Sequence, residues 1–322
     1  MQNAIGMERM SKRQLEKNRK KGAALRLSAK WLHIMLIPAL LLVFVYSYLP
    51  MFGIVIAFQD YDYAKGISAF WESSFVGWQN FERVFGDPDF VRCLINTLRI
   101  ALLKMTTMFI IPIMVAILLN EISKSYIKRS IQTLIYLPHF LSWIILAGVI
   151  KDVFGSDGII NGTLGQLFGT DPIYFLQQNS SFLAILIGTN IWKEFGFSTI
   201  VYLASISGID PNLYEAAMID GAGRLKQTWH VTLPGMKPII VLCGVLSLGG
   251  ILNAGFDQIF NLYSVPVYPV SDVIDTLVFR KGFQGGDYSL GSAIGLFNSA
   301  CGFILIASSY YMAKKFANYE IF

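Results

Sequence analysis

Six long stretches of the chain are apolar on every side. A hydrophobic window places them at about 33–57, 93–119, 131–153, 181–206, 238–262 and 288–313. Each exceeds the ~20 residues that cross a hydrocarbon core of about 30 Å at 1.5 Å per residue. A barrel strand needs only about 10 alternating residues, so runs of this length predict helices. Core helices of soluble proteins seldom hold ~18 apolar residues in succession. The pattern therefore predicts an all-α, polytopic membrane protein with six transmembrane helices. Pro112 and Pro138 are expected to kink the second and third spans.

Composition sharpens this picture. The 322 residues are 54% hydrophobic and only 15% charged, whereas a soluble domain carries about 25% charged residues. Disorder, a disulfide scaffold and a cytosolic enzyme are excluded. The net charge of +5 sits mainly beside the apolar runs, which points to an anionic membrane surface and not to nucleic acid. Cys93, Cys243 and Cys301 lie in or beside apolar runs without a CxxC, and read as small packing residues. His33, His139 and His230 are far apart and lack metal-ligand spacing, so no metal site is expected.

Charge also orients the chain. Residues 1–30 form a basic tail with nine Lys and Arg, too long for the n-region of a signal peptide. With this tail inside, the inner segments hold seventeen Lys and Arg and the outer segments five. Positive residues collect on the cytoplasmic side, so both termini are expected there, with residues 31–322 as the membrane domain. The outer connections are then about 59–92, 154–180 and 263–287. The first is long enough for a small packed cap, and its Trp71 and Trp78 suit an interfacial belt.

The inner connection 207–237 does not read as a simple linker. Asp210-Pro211 is a helix start, because Asp caps free amides and Pro fits a first turn. A short helix is expected from Pro211 to Asp220, ended by Gly221 and Gly223. A second is expected over Arg224–Val231, stopped by Pro234. Ala216, Ala217, Gly221, Ala222 and Gly223 form a small-residue face, ringed by Glu215, Asp220 and Arg224. Composition alone leaves two readings open: an interfacial helix pair, or a surface built for close approach by another protein.

Spacing separates these readings. Glu215-Ala216-Ala217, three residues, Gly221, nine residues and Val231-Thr232-Leu233-Pro234 resemble the EAA loop of ABC-importer permeases, E-A-A-x3-G-x9-I-x-L-P. Val231 stands where Ile is usual. Tyr48-Leu49-Pro50, Asn96-Thr97, Asn120-Glu121, Tyr136-Leu137-Pro138-His139-Phe140 and Trp192-Lys193-Glu194 follow in the order found in carbohydrate-uptake permeases of the maltose-type class. Within that class they resemble the polysaccharide and complex-oligosaccharide branch. The resemblance spans residues 30–322 and omits the basic tail.

The resemblance implies a type I ABC-importer permease in a bacterial inner membrane. It implies a second homologous permease forming a heterodimer with this chain, two cytoplasmic ATPase subunits and an external solute-binding protein that delivers a carbohydrate. It also implies that Glu215, Ala216, Ala217, Asp220 and Gly221 dock into the ATPase. No G-x-x-x-x-G-K-[ST] loop occurs in the sequence, so this chain is expected to be non-catalytic, with ATP and Mg²⁺ held by the partner ATPase.

Polar groups at membrane depth are costly and turn toward the bundle interior or a watery cavity. Lys104, Lys193 and Glu194 are the deep charges, with two roles open to them: pairing that fixes helix packing, or contact with substrate. A contact between Lys104 and Glu194 is one possible pairing. Lys193 and Glu194 adjoin in sequence and need not pair. Asn253, Phe256, Asp257, Gln258 and Asn298 complete the candidate path residues, since sugars take amide and carboxylate hydrogen bonds and an aromatic face. Interhelical hydrogen bonding is the alternative for each amide. Among other functions, an ABC permease for peptides or amino acids shares the EAA loop. An intramembrane enzyme lacks a nucleophile or metal motif here, and a channel has no use for an EAA loop.

Overall fold

The computed structural model describes residues 33–317, and the basic tail at 1–30 lies outside the described residues. The chain divides into two units, Met1–Val55 and Ile56–Phe322. The described part of the first is helical and apolar on every side, and belongs to the span His33–Phe58, α1. A helix of that composition suits a membrane span.

The second unit begins with the 59–92 connection. It is the packed cap that its length allows. Strands β1 (Gln59–Asp60) and β2 (Ser74–Phe75) pair antiparallel, and helix α2 covers Gln79–Gly86. Buried Asn80 joins the pieces by donating to the carbonyls of Ala57 at 3.1 Å and Gln59 at 2.9 Å.

Helix α3 runs from Pro88 to Asn120, capped by Asp87, and continues through buried Pro112 as one element. The third predicted span is not one helix. Helix α4 (Ser125–Tyr136) ends in a tight turn at Leu137–Phe140, and α5 (Trp143–Phe154) starts afresh with Ser142 as its cap. The halves Ser125–Phe140 and Trp143–Phe168 are bent by 102°. Pro138, which lacks an amide hydrogen, sits in the break. Helix α6 (Ile159–Phe168) follows, and then α7 (Asn179–Ser207).

Past α7 come α8 (Pro211–Ile219) and a long helix α9 (Arg224–Gly249). The second short helix expected at 224–231 therefore does not stop at Pro234. Five residues of wider π-helical winding, Thr228–Thr232, precede the proline, and the Leu233 amide bonds to the Thr228 carbonyl. This i→i+5 pattern changes the carbonyl register ahead of Pro234, which has no amide of its own. The fifth predicted span is also corrected. Its helix ends at Gly249, residues 250–255 break it, and a short α10 (Phe256–Leu262) resumes. Gly255 has φ +88°, a conformation that favours glycine, and a Cβ there would lie 2.8 Å from the Lys104 ammonium. Helix α11 (Tyr288–Ala317) is the last.

Among the described residues, four helices meet the length and hydropathy of a span, and the bent pair Ser125–Phe140 and Trp143–Phe168 makes a fifth. Helix α7 is long enough with 29 residues. It fails on composition, because every 18-residue window within it contains Asn190, Lys193 and Glu194. Protein neighbours compensate. Gly196 of α7 takes the α4 backbone so closely that a Cβ would lie 2.0 Å from the Ile135 carbonyl oxygen.

Both broken spans are tied by a lysine from an unbroken helix. Lys193 of α7 donates to the His139 carbonyl at 2.6 Å. Lys104 of α3 donates to the Ala254 carbonyl at 2.8 Å. Helix breaks free backbone carbonyls, and lipid offers them no donor.

Three apolar cores hold the unit. One joins Ile100, Leu146, Ile150, Phe182, Leu186 and Ile259. The second packs the cap against α3 and α11 through Phe81, Val84, Phe90, Ile274 and Ile294. The third, at the end that carries 207–237, is Ala116, Tyr202, Ile206 and Met236. The three cysteines are free thiols.

Two outcomes follow from these contacts. Gly196→Ala should lower the thermal stability of the purified protein, since overpacking a tight contact costs about 1–3 kcal/mol. Gly188→Ala on the same helix meets nothing within 4 Å and should not; equal melting temperatures would contradict the close packing. Lys193→Met leaves the buried His139 carbonyl without this donor and takes one cation from Glu194, which keeps His139, and should cost about 1–3 kcal/mol, as leaving a buried acceptor unpaired does. Adding Glu194→Gln should restore part of the loss, read as yield and melting temperature of the folded protein.

Candidate functional site

Two regions carry the chemistry: the 207–237 loop and a cavity among α3, α7 and the 250–255 break. In the loop, Asp210 accepts the Asn212 amide at 3.0 Å and caps α8. The other end closes with crossed bonds, Ala222 N to Ala217 O at 2.9 Å and Gly221 N to Met218 O at 3.0 Å. Gly221 sits between them at φ +76°, in open space. That geometry needs a residue tolerant of the left-handed region, which is why glycine occupies this position.

The loop is anchored to the bundle. Tyr214 Oη and Thr232 Oγ1 are 3.0 Å apart. Gln227 donates to the Ala222 carbonyl at 2.8 Å, and Arg224 to Glu121 at 3.1 Å. Ile209 packs on Gly235, where a Cβ would meet it at 2.6 Å. Glu215, Ala216, Asp220 and Gly221 are exposed, and Ala217 is half-buried. The small-residue face is accompanied by bare apolar side chains: Ile219 is 87% exposed and Leu225 82%, with Leu213, Met218 and Trp229 also exposed. Composition had pointed to the alanines and glycines and passed over these larger residues.

The cavity holds about 340 Å³ and is walled by Lys104, Met108, Asn190, Glu194, Ser198 and Asn253, among others. Asn190, Glu194 and Ser198 are four apart on α7, so they share one face. That spacing marks Asn190 and Ser198, which residue type and depth alone do not single out.

The charged groups form two knots. In one, Glu194 accepts from His139 Nδ1 at 2.7 Å and lies 3.4 Å from Lys193 Nζ. Lys193 is buried, pointing at the His139 carbonyl and the Trp143 ring. His139 stacks on Phe197 at 4.0 Å. Adjoining Lys193 and Glu194 thus do meet. In the other knot, Lys104 donates to Gln258 Oε1 at 2.6 Å. Gln258, fully buried, donates onward to the Leu186 carbonyl at 2.7 Å and to Thr189 at 2.9 Å. Lys104 therefore pairs with Gln258, and shares the cavity wall with Glu194.

The remaining candidates separate. Asn253 lines the cavity and accepts the Gly255 amide at 3.0 Å. Phe256 lies in another groove of about 520 Å³, with Asp275, Phe279, Phe283 and Tyr288. Asp257 is exposed. Asn298, on α11, keeps its Oδ1 buried without a hydrogen-bond partner.

At the end opposite the loop, the cap and the 263–287 connection are locked together by charge. Lys281 pairs with Asp87 and Arg83 with Asp287, while Arg280 pairs with buried Asp272 of its own connection and lies 3.6 Å from Asp89. Burial weighs against the Arg280 charge, but the Asp272 and Asp89 carboxylates hold its pKa above the ordinary value. Asn96 donates to the carbonyls of Pro269 and Asp272, each at 3.1 Å.

Comparison with known proteins places this architecture. Residues 108–317 match the family described as binding-protein-dependent transport system inner membrane component. Protein LplB of Bacillus subtilis is 42% identical over 91% of this chain and 91% of its own length. The polygalacturonan/rhamnogalacturonan transport system permease protein YteP of the same organism is 41% identical over 91% of this chain and 90% of its own length. A chain of a bacterial ABC transporter involved in import of the acidic polysaccharide alginate superposes with TM-score 0.81 at 35% identity, covering 90% of this chain and 97% of that one. A second structure of an alginate ABC transporter, in complex with an alginate pentasaccharide-bound periplasmic protein, gives TM-score 0.80 at 36% identity over 89% of this chain and 96% of that one. This chain belongs to the binding-protein-dependent inner membrane transport components, the non-catalytic permease subunits of ABC importers.

Proposed function

We propose that this chain is one half of the membrane pathway of an ATP-driven importer for an oligosaccharide or polysaccharide. The relatives named for polygalacturonan, rhamnogalacturonan and alginate support a carbohydrate over a peptide or amino-acid cargo. The second half is a homologous permease, paired with this chain as a heterodimer. Two cytoplasmic ATPases hold ATP and Mg²⁺, and a binding protein delivers the sugar from the other side. The 207–237 loop and both chain ends then lie in the cytoplasm, as the excess of inner Lys and Arg supports.

The observation that carries this reading is the loop itself. A capped helix with exposed apolar residues, tied by Tyr214, Ile209 and Met236 to the bundle, can take a push without folding away. Glu215, Ala216, Ala217, Asp220 and Gly221 form the part that enters the ATPase, with Ile219 and Leu225 as the apolar contacts beside them. The push reaches α3 and α7 through the core of Ala116, Tyr202, Ile206 and Met236. The cavity between those helices, with its amide, hydroxyl and apolar wall, is the sugar path.

The test is assembly. Glu215→Ala and, more strongly, Ile219→Asp should reduce co-purification of the ATPase and substrate-stimulated ATP hydrolysis by about tenfold or more, the effect of losing ~1.4 kcal/mol of contact. Membrane insertion of the chain should stay normal. Unchanged stimulation in both variants would contradict the coupling role.

A further inference from the structure

The cavity among α3, α7 and the 250–255 break places an ammonium beside a carboxylate that other groups already engage. Its charged lining residues are Lys104 and Glu194. The Glu194 carboxylate is already engaged by His139 Nδ1 at 2.7 Å and by the Lys193 ammonium at 3.4 Å. The hydrogen-bond partners of Lys104 are neutral oxygens, those of Ala254 and Gln258, and Glu194 acts on it through space. Two ammonium groups thus share one carboxylate, and His139 contributes either no charge or a further positive one.

The ammonium position is built and not incidental. Gly255, at a φ of +88° that favours glycine, leaves the space in which Lys104 Nζ sits, 2.8 Å from where a Cβ would stand. Gln258, fully buried, fixes it from behind through Leu186 and Thr189. An ammonium has three donors, and two are used, leaving one for the cavity. A positive charge at membrane depth with no carboxylate hydrogen-bonded to it is costly, and an arriving anion relieves it. Neutral sugar hydroxyls need no such group, because Asn190, Ser198 and Asn253 already supply hydrogen bonds.

We propose that Lys104 is a specificity residue that receives a carboxylate of the cargo, and that the cargo is a uronate-containing, acidic oligosaccharide or polysaccharide. This rests on reading the chain as a sugar permease. Lys193, the other lysine at this depth, is excluded from the role because it is buried against the His139 carbonyl and Trp143.

The test uses the assembled transporter in nanodiscs and equilibrium binding of three probes: tetragalacturonate, its methyl ester and its carboxyl-reduced neutral counterpart. The wild type is expected to bind the acid about tenfold or more tighter than either neutral form. Lys104→Gln, which keeps a hydrogen bond but not the charge, should erase that preference by weakening the acid alone. Lys104→Arg should retain it. A purely structural lysine would move all three probes together. Wild-type protein that binds acid and neutral forms equally overturns the charge assignment while leaving the sugar reading intact, and needs no variant to fold. A preference that survives Lys104→Gln also overturns it. Binding of none of the probes by the wild type removes the sugar reading and this inference with it.

Discussion

A carbonyl without a donor in lipid is the constraint on which this structure depends. Two spans are broken, one around Pro138 and one at residues 250–255. In water such breaks would be hydrated. Here the His139 and Ala254 carbonyls are met by Lys193 and Lys104, which reach across from the two unbroken helices α7 and α3. Each lysine brings a charge that must itself be managed, by Glu194 and His139 in one case and by Gln258 in the other. The polar groups that repair the backbone therefore also make the polar wall of a cavity. Irregular backbone at membrane depth is tolerated where it lines such a space.

The same arrangement links the two ends of the molecule. Helices α3 and α7 pack along each other and carry both lysines. Their ends nearest the 207–237 loop enter the core with Met236 at the base of α9. At their opposite ends both meet the 263–287 connection, and α3 is joined to it by Asn96 and by the Lys281–Asp87 pair. A displacement of the loop thus acts on the helices that hold the cavity wall. Close-packed helices transmit such motion because they cannot deform continuously.

Much of this was legible in the chain. The apolar runs marked where spans lie, and the E-A-A-x3-G spacing marked the loop whose cap geometry Asp210 and Gly221 adopt. The breaks were less legible. A hydropathy window averages over Gly249-Gly250 and over the Ser142 cap, so the third and fifth spans read as continuous. Pro138 was a correct warning, whereas Pro234 was misleading, because a local π turn absorbs it. Of the polar candidates, Gln258 and Lys193 serve the interior, while Glu194 and Asn253 face the cavity. Phe256 and Asn298 lie elsewhere. Residue type alone could not separate them, since an amide suited to a sugar hydroxyl suits a helix carbonyl equally well. The Asn190, Glu194 and Ser198 stripe was readable from helical spacing. The lysine caps were not, because they join residues 54 and 150 positions apart.

ATP-driven uptake tests the assignment as a passive sugar conduit most directly. The chain would be reconstituted in proteoliposomes with its second permease, the two ATPases and the binding protein, and entry of a labelled oligosaccharide followed. Accumulation is expected only when every component and ATP are present. Uptake by this chain alone, or uptake indifferent to ATP, would contradict it.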